Sequence, residues 1–97
     1  MFARVTITQT KMDKIDGAIK LYKDGVVPAA KSQKGYRGIY LFTDRKTGKG
    51  YSISLWENEA DAIDNEKSGY YKEQVGKFAD YFSAPPVQEG YEVTVKD

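Results

Sequence analysis

The sequence contains neither cysteine nor histidine, and these two absences remove many of the reactive groups that proteins commonly use. Without cysteine there is no disulfide and no thiol nucleophile, and without histidine there is no imidazole base. Zinc clusters and histidine-ligated haem are excluded for the same reason. Any reactive chemistry must therefore use carboxylates, amines, guanidinium groups or hydroxyl groups, and we expect neither a metal nor a cofactor.

Long hydrophobic runs and a strong net charge are also missing. No apolar stretch approaches the ~20 residues of a membrane span, and Met1 opens into a strand pattern rather than a signal peptide. We therefore expect a cytoplasmic protein that does not bind membranes. The net charge of +1 provides no general attraction to nucleic acid.

The 97 residues are enough for one folded domain, 1–97, because 40% of them are hydrophobic and 13% aromatic. The charges are distributed unevenly along the chain. Residues 31–49 are mostly basic, whereas residues 57–66 carry five acidic side chains and no basic one. This pattern fits a basic loop followed by an acidic first helical turn, which the helix dipole favours. The less favoured alternative is a contact between the two regions across a subunit interface.

Strand and helix patterns alternate along the chain. Four segments alternate between polar and apolar residues and are predicted to be strands: Phe2–Thr8, Tyr36–Thr43, Tyr51–Trp56 and Val87–Val95. Helical spacing is found at Ile15–Val26 before Pro28, at Asn58–Lys67, and from Tyr70 to Pro85. Asn58 stands where a helix N-cap is expected.

The resulting order, β-α-β-β-α-β, predicts a ferredoxin-like α+β fold with a four-stranded antiparallel sheet. Helices in this arrangement cover one face of the sheet. Both faces, however, carry aliphatic or aromatic residues at most positions, so the second face also needs cover. A second copy of the chain is the simplest cover, and we expect a homodimer.

The single tryptophan, Trp56, ends the third strand just before a helix, and large flat side chains at such edges often contact ligands. It forms either the wall of a ligand pocket or a part of the core. Ser52 and Ser54 share its strand face, which is consistent with a cavity that is partly lined by polar groups.

The segment Lys49–Trp56, KGYSISLW, is similar to the third-strand signature of RNA-recognition motifs at its first three positions and its last. Ile53, however, occupies the place of an aromatic residue that would stack on a base. Near-neutral charge also fits poorly with phosphate binding. RNA binding is therefore the least favoured alternative, and we expect no nucleic-acid partner.

A second resemblance covers nearly the whole chain. Its parts are Val26–Ala30, Lys34–Gly38, Ser54–Ala62, Gly69–Tyr71 and the segment from Pro85 through Val93. In this order and spacing the chain resembles the antibiotic biosynthesis monooxygenase-like family, whose members are small dimeric α+β barrel proteins.

The resemblance implies several activities that differ in chemistry. Some members of that family are cofactor-independent monooxygenases of polycyclic aromatic compounds, some degrade haem, and many have no known activity. The haem-degrading members use an asparagine on the first strand and a histidine on the later helix, both of which are absent here. For the cofactor-independent enzymes, a substrate carbanion reacts directly with dioxygen in a dry pocket.

A pocket between helices and sheet would hold a small aromatic ligand, according to this resemblance. The candidate lining residues are Thr6, Arg37, Ser54, Trp56, Tyr70 and Tyr71. The sequence identifies no catalytic base. The alternative is a structural or interaction dimer without a ligand. A cavity of a few hundred Å³ beside Trp56 would favour a ligand, and a packed core would favour the structural alternative.

Overall fold

A computed structural model describes all 97 residues. The strands are β1 (Phe2–Gln9), β2 (Tyr36–Thr43), β3 (Lys49–Trp56) and β4 (Val87–Glu92). The helices are α1 (Ile15–Leu21), α2 (Val27–Lys31), α3 (Glu59–Lys67) and α4 (Tyr70–Gly76). A 3₁₀ turn (Met12–Lys14) precedes α1, and a π-helical turn (Tyr22–Val26) joins α1 to α2.

The four strands form one antiparallel sheet in the order β2-β3-β1-β4. This confirms the predicted ferredoxin-like α+β fold. In the central pair, Arg4 lies opposite Ser54 and Thr6 lies opposite Ser52. Residues that are paired in this way point to the same face of a sheet, so the polar residues of β1 and β3 share one face.

Several element boundaries differ from the sequence predictions. β1 continues to Gln9, and β3 begins at Lys49 instead of Tyr51. The helical path does not end at Pro28: α1 ends at Leu21, and Pro28 lies in the first turn of α2, directly after the π-helical turn. α4 ends at Gly76, well before Pro85, and irregular turns follow it. β4 ends at Glu92, and Val95 beyond it is 86% exposed.

The polar side chains of the central strands lie on the face that the helices cover, and the uncovered face is apolar. On the helix side, an apolar cluster of Ala18, Tyr22, Val26 and Phe78 packs over β2 and β3, beside the polar side chains of β1. The opposite side, which we call the open face, is almost entirely apolar. By strand register the open face comprises Ala3, Val5, Ile7, Tyr40, Phe42, Tyr51, Ile53, Leu55, Val87, Glu89 and Tyr91.

Two local features fix the helices that follow β3. The Asn58 side chain accepts a hydrogen bond of 2.9 Å from the backbone N–H of Asp61, which confirms the predicted N-cap. Gly69 separates α3 from α4 with φ 88°, a left-handed conformation that glycine adopts without strain. No helix of the chain has the length and apolar character needed to cross a membrane.

The basic and acidic regions of the sequence meet within one chain. Arg37 forms an ion pair with Glu57, and Lys34 Nζ lies 3.9 Å from Asp61 Oδ1. Both pairs join the segment after α2 to the start of α3. These two contacts between the basic and acidic regions are therefore made inside one chain.

Candidate ligand pocket

A pocket lies between the helix side of the sheet and α4. Its volume is about 70 Å³, and it opens to solvent on one side. Fourteen residues line it, and nine of them are hydrophobic. β1 and β3 form its floor, while the π-helical turn and α4 form its walls.

Trp56 is completely buried and forms part of the pocket wall. Its indole Nε1 donates a hydrogen bond of 2.9 Å to Ser54 Oγ, two residues earlier on the same strand face. This bond satisfies the one polar group of the ring, as buried tryptophan requires. The serine therefore fixes the orientation of the indole beside the pocket.

Arg4 is the only charged side chain that lines the pocket, and it is only 5% exposed. Its guanidinium carbon lies 5.0 Å from the centroid of the Trp56 ring and 4.6 Å from that of Tyr71. Nη1 donates a hydrogen bond of 3.0 Å to Asn65 Oδ1, and Asn65 in turn donates to Gln33 Oε1. The cation is thus held between two rings and by one neutral amide.

The charge of Arg4 is poorly compensated by the protein itself. None of the four ion pairs in the structure includes it. Burial lowers the pKa of Arg4, while the negative charge of Glu66 partly opposes this effect. A buried arginine normally has a carboxylate partner, because desolvation of an isolated charge is strongly unfavourable.

Hydroxyl groups and the amide of Gln74 line the rest of the polar surface. Thr6 Oγ1 and the Tyr71 hydroxyl are 2.9 Å apart, and the Tyr22 hydroxyl lies 2.7 Å from Ser52 Oγ. Burial raises the pKa of Tyr22 to about 12, and it also raises the pKa values of Tyr70 and Tyr71. These phenols are therefore neutral at physiological pH. They can donate hydrogen bonds but are poor general bases.

Five of the six predicted site residues line this pocket: Thr6, Ser54, Trp56, Tyr70 and Tyr71. Arg37 does not, which corrects the placement predicted from the sequence. It lies at an irregularity of β2, where the pairing with β3 shifts between Tyr36 and Gly38. Its side chain is half exposed and paired with Glu57 instead.

Sequence reasoning missed Arg4, Tyr22 and Gln74 as lining residues. A signal for Arg4 was present, because it alternates in phase with Thr6 along β1. The polar phase of a strand is ordinarily assigned to solvent. Here that phase faces the helices, and the apolar phase lies on the open face.

Comparison with known sequences identifies uncharacterised relatives. No family model matches the chain. Two uncharacterised proteins of Mycobacterium tuberculosis, Rv2557 from strain H37Rv and MT2634 from strain CDC 1551, are each 31% identical to it over 97 residues. The match covers 96% of this chain but 41% of each relative. The chain therefore spans about two fifths of the length of the curated relatives it matches.

Comparison with solved structures shows the fold. A monooxygenase from the Streptomyces coelicolor gene ActVA-Orf6, solved with nanaomycin D, superposes with a TM-score of 0.82 at 13% identity, covering 99% of this chain and 89% of that one. An antibiotic biosynthesis monooxygenase gives 0.76 at 17% identity, covering 98% and 100% of the two chains. The fold is that of the antibiotic biosynthesis monooxygenase-like proteins. The same monooxygenase-like fold occurs in NE2512 of Nitrosomonas europaea, a protein of unknown function, with a TM-score of 0.80, 14% identity and coverage of 99% and 91%.

Within this monooxygenase-like fold, the residues of the pocket determine which chemistry is available. No group of three or more acidic side chains lies close enough together to hold a metal ion. The pocket offers a flat indole wall, a set of neutral hydroxyl groups and one guanidinium. This arrangement can hold a planar group and stabilise a negative charge.

Proposed function

We propose that this protein binds a small aromatic compound in the pocket beside Trp56. The observation that carries the proposal is the position of this side chain. The only tryptophan is fully buried, is oriented by Ser54, and walls a mainly apolar pocket with a few convergent polar groups. Pockets of this composition are typical of small-molecule sites.

The volume of the pocket limits the size of the compound. About 70 Å³ does not reach the few hundred Å³ that the sequence analysis required to favour a ligand, and it is well below the ~300–1,000 Å³ of pockets for drug-sized ligands. The proposal therefore rests on the composition of the pocket and not on its volume. A single ring that partly protrudes through the opening needs little rearrangement. A polycyclic compound requires α4 to move outward.

Cofactor-independent oxygenation is the second candidate, and the fold shared with monooxygenases supports it. In such a reaction the substrate must lose a proton before it reacts with dioxygen. No carboxylate, lysine or histidine lines the pocket, and burial keeps its phenols protonated. The pocket can therefore stabilise an anion but has no group that would form one at neutral pH. This favours binding over catalysis.

We further propose that the protein is a homodimer in which the open faces of two sheets pack together. Four large side chains on this face, Tyr40, Phe42, Val87 and Tyr91, are each more than half exposed in the single chain. Contiguous apolar surface of this kind is unfavourable in water and marks a contact surface. A second copy presents a matching apolar surface.

The fluorescence of Trp56 tests the binding proposal. Trp56 is the only tryptophan, so a change in tryptophan emission reports on this one site. A screen of phenols, quinones and single-ring aromatic acids is expected to identify compounds that quench it. Each hit is then titrated against the Trp56→Phe variant by calorimetry. We expect weaker binding to the variant, because the ring loses area and its bond to Ser54.

Tyr91→Phe serves as a control, because Tyr91 is exposed on the open face, away from the pocket. It should bind every hit as the wild type does. If no compound binds to the folded protein, the proposal is wrong and a structural or interaction dimer is favoured. Oxygen uptake in the presence of a hit, lost in Trp56→Phe, would instead establish the oxygenase.

A further inference from the structure

We propose that the ligand of this pocket carries a carboxylate and that Arg4 binds it. This inference rests on the proposed function and adds a chemical class to it. The observation behind it is a buried cation that faces a pocket without an anionic partner in the chain. Arg4 thereby becomes the residue that selects acidic over neutral ligands.

The hydrogen-bonding capacity of Arg4 supports this assignment. A guanidinium has five N–H donors in a fixed plane, and the hydrogen bond to Asn65 uses one of them. Every fully buried side-chain nitrogen in the structure has a hydrogen-bond partner. The nitrogens of Arg4 that have no partner in the chain are therefore not fully buried, and they can donate to a ligand. The planar arrangement of these donors matches the two oxygens of a carboxylate.

The surroundings of Arg4 favour an anion that comes from outside the chain. The two aromatic rings attract the cation through their faces but cannot accept hydrogen bonds as strong as those of a carboxylate. Glu66 is the acidic residue with the largest effect on the pKa of Arg4. It accepts a hydrogen bond from Gln88 and forms no ion pair with Arg4. A ligand carboxylate would supply the compensation that the protein leaves out.

The size of the pocket agrees with a carboxylate group as the part that enters. About 70 Å³ is half the ~150 Å³ of an engineered cavity that binds benzene. A carboxylate and the first atoms attached to it are small enough to reach Arg4. The remainder of the molecule then extends through the opening along the half-buried Tyr70 and Tyr71.

The test compares benzoate with benzamide, its neutral analogue of nearly equal shape, by titration calorimetry on the wild-type protein. We expect benzoate to bind about 10-fold more tightly or better, as a charge-assisted hydrogen-bonded pair provides. Equal affinities would overturn the carboxylate assignment while leaving the proposed function intact. A phenol ionised at the same pH that binds more tightly than benzoate would also overturn it. Binding of neither benzoate nor any screened aromatic compound would overturn both proposals.

Two variants assign the preference to Arg4. In Arg4→Gln the affinities for benzoate and benzamide are expected to differ by no more than about twofold, because the charge-assisted hydrogen bond is lost. Arg37→Gln is the matched control, since Arg37 is a strand arginine outside the pocket, and it should keep the full preference. Retention of the preference in Arg4→Gln would overturn the assignment.

Asn65→Asp provides a test that retains the arginine. Asn65 Oδ1 already lies 3.0 Å from Arg4 Nη1, so the new carboxylate would pair with Arg4 inside the chain. We expect this variant to remain folded and to lose the preference for benzoate, since the cation is then neutralised by the protein. An unchanged preference in a folded Asn65→Asp would contradict the proposal, even if Arg4→Gln fails to fold.

Discussion

The indole of Trp56 is closed off from solvent, yet it faces the pocket, so one side chain contributes to both the core and the site. Trp56→Phe removes ring area and the hydrogen bond to Ser54 Oγ. We expect the free energy of unfolding to fall by about 1–2 kcal/mol, in the range for a core truncation. Urea unfolding followed by circular dichroism measures this. A variant as stable as the wild type would mean that the indole adds nothing to the core.

Tyr22 gives a prediction for alkaline pH. Its folded-state pKa is about 12, raised by burial, whereas an unfolded tyrosine has a pKa of about 10. Between these two values the unfolded chain releases a proton that the folded chain keeps, so stability falls as the pH rises. The contribution of the protonated Tyr22 hydroxyl to the free energy of unfolding is fully present below pH ~10.

At pH ~11 the titration of Tyr22 is expected to lower the free energy of unfolding by about 1.4 kcal/mol. Tyr22→Phe has no hydroxyl to titrate, so its stability should decline less between pH ~9 and ~11 than that of the wild type, by about this amount. Urea unfolding of both proteins at the two pH values gives the comparison, with each referred to its own stability near neutral pH. An equal decline in both proteins would show that Tyr22 does not titrate differently in the two states.

The two strand arginines, Arg4 and Arg37, show how far the site could be predicted from the sequence. Trp56 and Ser54 were placed correctly on one face because strand alternation is a local property. Which face lies under the helices is a tertiary property, decided by packing across the whole sheet. The irregular pairing that turns Arg37 outward has no local signal either. Both arginines were recognised as strand residues, but the sequence placed Arg37 in the pocket, where the structure has Arg4.

At the level of elements, the start of α3 depends on the side chain of Asn58. Its oxygen satisfies the Asp61 N–H, a group that has no partner within the helix. We expect Asn58→Ala to lower the free energy of unfolding by about 1 kcal/mol. Asn58→Asp keeps an acceptor at the same place and is the matched control. Thermal and urea unfolding of both variants measures the loss of stability. Equal losses in the two variants would contradict the capping role.

The elements themselves were largely predictable, and the reason is visible in β2. Tyr36–Thr43 alternates in sequence and forms a strand with those same bounds, with Ile39 and Leu41 packing toward the helices. The first helix was less predictable. The π-helical turn at Tyr22–Val26 carries the chain smoothly into Pro28, and apolar spacing alone does not distinguish this turn from an α-helix.

For the whole molecule, the open face predicts the oligomeric state. We expect sedimentation equilibrium at micromolar concentration to give twice the chain mass of 10.9 kDa. Phe42→Lys should shift the protein to monomers, because it places a charge on the apolar open face while disturbing little in the single chain, where Phe42 is 53% exposed.

Ile63→Lys is the control for this experiment. Ile63 is an exposed apolar residue on α3, on the helix side of the sheet. It should leave the mass of the assembly unchanged. A wild-type protein that sediments as a monomer, or a Phe42→Lys variant that sediments like the wild type, would refute packing through the open face.

The sheet separates the apolar face from the pocket, so each pocket is built from the residues of one chain. In a dimer joined through the open faces, the two sites would lie on the outer sides of a doubled sheet. Each chain would then take up one ligand with the same affinity whether its neighbour is loaded or empty. Saturation would follow a simple hyperbola with a stoichiometry of one per chain, and a dissociated Phe42→Lys subunit would keep its full binding capacity.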